Sequence, residues 1–230
     1  MHTGSLILTD RPDPTSAAET RPRRNFRGLS LAERQAQRRE LLLKAALELY
    51  GTQGFFAVTV RDICLQAGLT ERYFYESFKN SEKLFEALYN QQIALLEAQV
   101  LTAFSDAVPE PEQWIDALLR AFLSALKADP RVARIVFIDS TFMREVHGSA
   151  IDAVKRFDLL TRQVLAVVLP SLKAQPALLS LMASGLNGFV MQLMVRWVLT
   201  DYQDREEDIL RVCSLAFIGT YEHLRQLPEL

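Results

Sequence analysis

Between Thr70 and Phe78 the chain reads Thr-Glu-Arg-Tyr-Phe-Tyr-Glu-Ser-Phe, a run that combines a guanidinium, two phenols, two carboxylates and two aliphatic hydroxyls with two apolar rings. A guanidinium can donate two parallel N–H bonds to a carboxylate, a phosphate or a guanine edge. Phenols and hydroxyls can reach phosphate oxygens. Placed on a helix at about 100° per residue, Phe74 and Phe78 share one face. Arg72, Tyr73 and Glu76 fall opposite, and Tyr75 and Ser77 lie to either side of the apolar direction. Such a ridge suits a DNA major groove, with central side chains meeting base edges and flanking hydroxyls meeting the phosphate walls. The same pattern also describes a solvated face on which Arg72 and Glu76 merely pair at i,i+4. Periodicity alone does not separate the two.

The elements that must carry this run are legible around it. Residues 1 to about 30 contain Pro12, Pro14 and Pro22 without an apolar period and read as a flexible arm. Arg21, Arg23, Arg24, Arg27, Arg34, Arg38 and Arg39 face only Glu33 between positions 21 and 39, so the arm and the first turns of the next helix are locally basic. From Leu31, and most clearly over Gln35 to Tyr50, Leu41, Leu42, Ala45, Ala46, Leu49 and Tyr50 recur at helical spacing until Gly51 and Gly54. Thr59 is a plausible N-cap for a short helix ending at Ala67, and Gly68 supplies a positive φ for the turn after it. Thr70 is expected to cap the next helix in the same way. Phe74 and Phe78 would then pack on Ile63, Ala67 and Leu69, and on Leu49 and Phe55.

The run from Gly54 to Leu88, GFFAVTVRDICLQAGLTERYFYESFKNSEKLFEAL, resembles the N-terminal DNA-binding region of TetR-family (tetracycline-repressor-like) transcriptional regulators. Gly54, Thr59, Ile63, Ala67-Gly68-Leu69-Thr70, Phe74-Tyr75, Phe78 and Leu84 carry the resemblance. It implies a homodimer that inserts the helix beginning near Thr70 into the major groove of a palindromic double-stranded operator. By the same resemblance Thr59 and Thr70 would present N-cap groups to phosphates, and Arg61 and Arg72 would contact guanine or phosphate. Tyr73 would touch a thymine methyl or base edge, Tyr75 a phosphate, and Lys79 would add phosphate charge. Ser77 and Ser81 depart from the family pattern, which often has His or Tyr at the first and Lys at the second. The arm arginines are expected to compensate by reaching the neighbouring minor groove.

Beyond position 81 the chain remains helical in pattern, with runs at about 82–104, 112–128, 130–146, 149–168, 177–199 and 205–226 and no strand signal. The fold class is therefore all-α: a three-helix helix-turn-helix unit at 31–80, preceded by the basic arm at 1–30 and followed by a larger helical bundle at 81–230. The family implies that this bundle binds a small-molecule inducer and pairs with a second copy. Trp114, Phe137, Asp139 and Phe142, polar and aromatic groups in apolar surroundings, are the candidate pocket residues. The last two helices hold more apolar side chains than one buried face needs, and Leu186, Phe189, Leu193, Trp197, Val212 and Leu215 are the candidate dimer contacts.

Composition bounds the remaining classes. The 230 residues are 49% hydrophobic and 23% charged, too apolar for wholesale disorder. Thirteen basic residues oppose 10 acidic ones through position 85, and 13 oppose 18 beyond it, so the net charge of −2 conceals a basic N-terminal part. His2, His147 and His223 are scattered, and Cys64 and Cys213 sit in no metal or redox motif. No catalytic constellation, metal or cofactor is expected, and no enzyme. The absence of a secretory pattern and of about 18 uninterrupted apolar residues points to the cytoplasm, without membrane contact. The function expected is a transcriptional regulator, a repressor released by an inducer. The alternative is a DNA-binding dimer controlled by a protein partner.

Overall fold

A computed structural model describes residues 30–107 and 110–226, and every regular element among them is helical. The expected arm, residues 1–29, lies outside the described residues, with its arginines at 21, 23, 24 and 27.

The first helix, α1 (Leu31–Gln53), begins with a reciprocal cap. Ser30 Oγ accepts the Glu33 N–H, and the Ser30 N–H donates to the Glu33 carboxylate. Its apolar face buries Leu42, Leu43, Ala45, Ala46 and Tyr50. Leu41, expected inside, is instead exposed, and Leu43 takes its place. Thr59 caps α2 (Val60–Ala67) through Asp62, whose N–H it receives at 3.2 Å. Gly68 comes next at φ 66°, a left-handed turn that an L side chain would resist. The polypeptide then enters α3 (Glu71–Ser77).

The long helix α4 (Ser81–Asp106) starts one residue earlier than its apolar period suggests, because Asn80 Oδ1 accepts the Lys83 N–H at 3.0 Å. Its first half packs with the helix-turn-helix unit and its second half with the bundle, and one hydrophobic core runs from Leu42 to Cys213. In α5 (Pro111–Ala128), Ile115, Leu119, Leu123 and Leu126 form one apolar stripe that docks between α4 and α9 (Glu206–Arg225). Two further helices, α7 (His147–Val168) and α8 (Pro176–Leu199), pack against each other. A smaller core of Leu165, Leu169, Leu172, Leu179, Ala183 and Leu186 closes their end. By length and composition α8 is apolar enough to cross a membrane. Here its buried face, from Leu179 to Trp197, belongs to the bundle.

The expected helix over 130–146 does not form as one piece. A single turn, α6 (Pro130–Ala133), passes into a π-helical turn at Arg134–Ile138 and then into 3₁₀ turns at Asp139–Phe142 and Arg144–Val146. Tertiary contacts override the helical period at this point. Asp139 turns inward to receive the Phe55 N–H on Oδ2 at 3.2 Å, and Ser140 Oγ donates back to the Val136 carbonyl at 2.6 Å. Widened turns of this kind recur where a helix must redirect side chains.

This irregular stretch is also where the bundle grips α1. Arg131 bridges Asp129, at 2.7 Å, and Glu48 of α1. Gly51 permits that approach, since a Cβ there would collide with the Arg131 side chain. Arg134 lies 3.7 Å from the Asp139 carboxylate. Burial pushes the Asp139 carboxyl above its usual range, and Arg134 and the Phe55 N–H oppose that shift.

Candidate DNA-binding face and ligand cavity

On α3 the aromatic side chains separate by direction. Phe74 and Phe78 are buried with their rings 6.1 Å apart. Tyr75 is 58% exposed and meets Phe74 edge-on. Tyr73 is half-buried beneath the Arg38 guanidinium, 4.1 Å from the ring centre. Arg39 covers Phe78 in the same manner at 4.3 Å. The arginines of α1 thus brace the aromatic residues of α3.

Glu76 resolves into the centre of a charge cluster. Its carboxylate meets Arg72 Nε at 3.0 Å and Arg38 Nη1 at 3.8 Å. Arg72 is not locked, because its exposed i,i+4 pair is worth only about 0.3–0.5 kcal/mol, whereas Arg38 is largely covered and rests on the Tyr73 ring. Arg61 and Lys79 are exposed and absent from the ion pairs of the described residues. Beside α3, Arg39, Ser77, Lys79 and Lys83 border a shallow groove with Glu86, which pairs with Lys83.

The hydroxyls differ in availability. Thr59 Oγ1 accepts from the Asp62 N–H and donates to Asp62 Oδ2 at 2.6 Å, so the cap occupies it. Thr70 has N-cap backbone angles, but its side chain makes no capping bond, contrary to expectation. Its hydroxyl is exposed and uncommitted. Ser77 Oγ donates to the Tyr73 carbonyl, which turns it back along its own helix. Thr59, Arg61, Thr70, Arg72, Tyr75 and Lys79 therefore lie exposed about the helix-turn-helix, with Tyr73 and Ser77 half-buried. In the sequence Arg38 and Arg39 are only part of a locally basic stretch, whereas in the fold they cover Tyr73 and Phe78. Their spacing ahead of Leu42 and Leu43 would have placed them on the inward face of α1.

The bundle holds a cavity of about 240 Å³ walled by α4, α5, the π turn, α7, α8 and α9. Its surface is almost wholly apolar, with Ile93, Leu119, Phe122, Phe137, Phe157 and Phe217 among the lining. Phe122 stands edge-on to both Phe137 and Phe157. Of the four candidate pocket residues, only Phe137 lines this space. Trp114 lies against Phe104, Asp139 binds the helix-turn-helix side at Phe55, and Phe142 is 67% exposed on a 3₁₀ turn. The sequence placed Asp139 and Phe142 on one continuous helix, and the π turn rotates them out of that register.

The six candidate interface residues divide as well. Phe189, Val212 and Leu215 are exposed, alongside Leu181 and Leu199. Leu186 is buried in the smaller core and Trp197 in the main one, against which Leu193 is partly buried. Trp197 cannot also serve an exposed interface, because its Nε1–H donates inward to the Asp204 carbonyl at 2.8 Å.

Comparison with known proteins now places the helix-turn-helix. Residues 42–88 match the family described as bacterial regulatory proteins, tetR family. The Transposon Tn10 TetC protein of Escherichia coli is 34% identical over 61 residues, which are 26% of this chain and 31% of that relative's length. Among solved structures, a transcriptional regulator from Rhodococcus sp. Rha1 superposes with a TM-score of 0.70 at 14% identity, over 83% of this chain and 99% of that one. The regulator FadR from Bacillus subtilis, solved in complex with stearoyl-CoA, gives 0.67 at 16% identity over 78% and 98%. At such low identity these two structures establish the shared fold. Residues 42–88 are thus a helix-turn-helix segment of the kind found in the tetR family of bacterial regulatory proteins, and the chain as a whole shares the fold of these regulator structures.

Proposed function

We propose that this DNA-binding regulator is a repressor that grips a palindromic operator as a homodimer and lets go when an apolar small molecule fills the bundle cavity. The observation that carries the reading is the sharing of one short segment by the cavity and the DNA-binding unit. Val136 and Phe137 line the cavity, while Arg134 and Asp139, on either side of them, contact the end of α1 and the Phe55 N–H. A ligand pressing on Phe137 acts on the same backbone that positions α1, and α1 braces α3 through Arg38 and Arg39. Release requires that the ligand bind the DNA-incompetent arrangement better than the competent one. A FadR that holds stearoyl-CoA on the same fold supports an apolar ligand.

In this reading Arg61, Arg72, Tyr73 and Tyr75 meet the major groove, and Thr59, Thr70, Ser77 and Lys79 line its phosphate walls. The exposed apolar faces of α8 and α9 pair across the two-fold axis. A cytoplasmic, non-enzymatic protein follows from that role. The test is to select operator duplexes from random DNA with the full chain and then compete the complex with apolar metabolites. A palindromic site released by at least one compound is expected. Failure to select any duplex at low salt would defeat the reading, and a site that no compound releases would favour control by a protein partner.

A further inference from the structure

The cavity wall is mostly apolar, with the phenols of Tyr89 and Tyr221 in it, and it carries one charged side chain. Where α7 faces α8, four side chains form a connected polar patch. Asn187 Nδ2–H donates to Asp158 Oδ1 at 2.7 Å, Ser184 Oγ–H donates to Asp158 Oδ2, and Thr161 Oγ1–H donates to Asn187 Oδ1 at 3.0 Å. All four line the cavity, and Ser184 is exposed, which puts the patch at an edge open to solvent. Two neutral donors orient the carboxylate, which makes no ion pair among the described residues.

Among the described residues, no lysine, arginine or histidine lines the cavity. The nearest cations on α7 are engaged elsewhere, Lys155 with Asp152 at 3.2 Å and Arg156 with Glu97 of α4 at 2.5 Å. Arg162, one turn beyond Asp158, is outside the cavity lining and makes no ion pair among the described residues, its buried Nε having no hydrogen-bond partner there. A ligand entering here therefore meets one fixed negative charge and no positive one.

We propose that the cavity selects a lipophilic cation, an ammonium carried on an apolar body, with Asp158 as its counter-ion. The proposal rests on the ligand-responsive reading above and specifies the charge of its ligand. An anionic head group would lose its water without gaining a partner and would lie beside a like charge. A cation regains a partner at Asp158, in a wall that includes the aromatic rings of Phe122 and Phe157.

Decylammonium, decanol and decanoate share one alkyl chain and differ in charge, and decanoyl-CoA adds the neutral thioester with an anionic tail. Their affinities for the full chain, by calorimetry, and their release of the selected operator are compared. Decylammonium is expected to bind about tenfold or more tightly than decanol, with decanoate weakest. Asp158→Asn should abolish the ammonium advantage and leave decanol unchanged. Ser184→Ala, which keeps the carboxylate and frees one of its lone pairs, should preserve that advantage, so the charge effect stays readable if the first variant folds poorly. Decanoate or decanoyl-CoA binding ahead of decylammonium would overturn the charge preference while leaving a ligand-released repressor intact. If no member of the series binds, both the preference and the cavity's role as an inducer site fall.

Discussion

At Glu76 the i,i+4 pair with Arg72 that spacing allows does form, while Arg38 joins it from α1, outside the reach of local spacing. As an isolated carboxylate near DNA it should repel phosphate, yet it sits between Arg72 and Arg38 and neutralises part of each. Its charge therefore sets how much of the arginine charge is offered to any duplex. Glu76→Gln is expected to raise affinity for random DNA at low salt and to reduce discrimination at one operator base pair by about 1–3 kcal/mol, if the carboxylate meets a cytosine amino group. Binding titrations on the selected operator and its single-base variants check this. Unchanged affinity for random duplex would show that the pairs with Arg38 and Arg72 do not restrain them. Tyr75 has the opposite character, since its ring rests edge-on against Phe74 and most of its surface faces outward. Tyr75→Phe should weaken operator and random DNA together, as loss of a phosphate contact does.

Among the elements, the π turn at Arg134–Ile138 has the greatest consequence, because it converts one expected helix into a joint. Its inward side chains wall the cavity and its flanks hold α1. Removing Asp139 leaves the Phe55 N–H without its acceptor and Arg134 without its anion. Asp139→Ala is accordingly expected to lower stability by about 1–3 kcal/mol, read as a reduced urea midpoint. Its effect on coupling separates a joint from a simple structural contact. Ligand affinity of the free protein should persist while the ligand's ability to release DNA weakens. Parallel loss of both would mean that the variant has damaged the cavity itself.

For the molecule as a whole, the continuous core from Leu42 to Cys213 joins the DNA-binding unit and bundle, with α4 belonging to both. Movements of the bundle can therefore reach α3 without a flexible linker. The surface left over includes Leu181, Phe189 and Leu199 on α8 and Val212 and Leu215 on α9. Leu215 is 65% exposed, so replacing it should cost the subunit's own packing little. Leu215→Glu is expected to yield folded monomers in sedimentation that bind a half-site duplex poorly, and persistence of dimers would remove α9 from the interface.

Much of this architecture is written in local sequence. The Ser30 and Thr59 caps, the left-handed Gly68 and the burial of Phe74 and Phe78 depend on neighbours within a few residues, whose chemistry is readable directly. Helical period likewise located α4, α5, α7, α8 and α9 to within a residue or two. Period does not say which of several apolar faces meets the subunit's own core, and Leu186 and Trp197, candidates for the dimer contact by composition, point inward. Nor could it foresee that Asp139 would find Phe55, 84 positions away, and break a helix to do so. The cavity is the clearest case: its wall is assembled from α4, α5, α7, α8, α9 and the π turn, and the one acid among its described lining, Asp158, looked like one more polar residue on a helix. Contacts between distant segments carry no local signature, because their energy exists only once packing has brought the segments together.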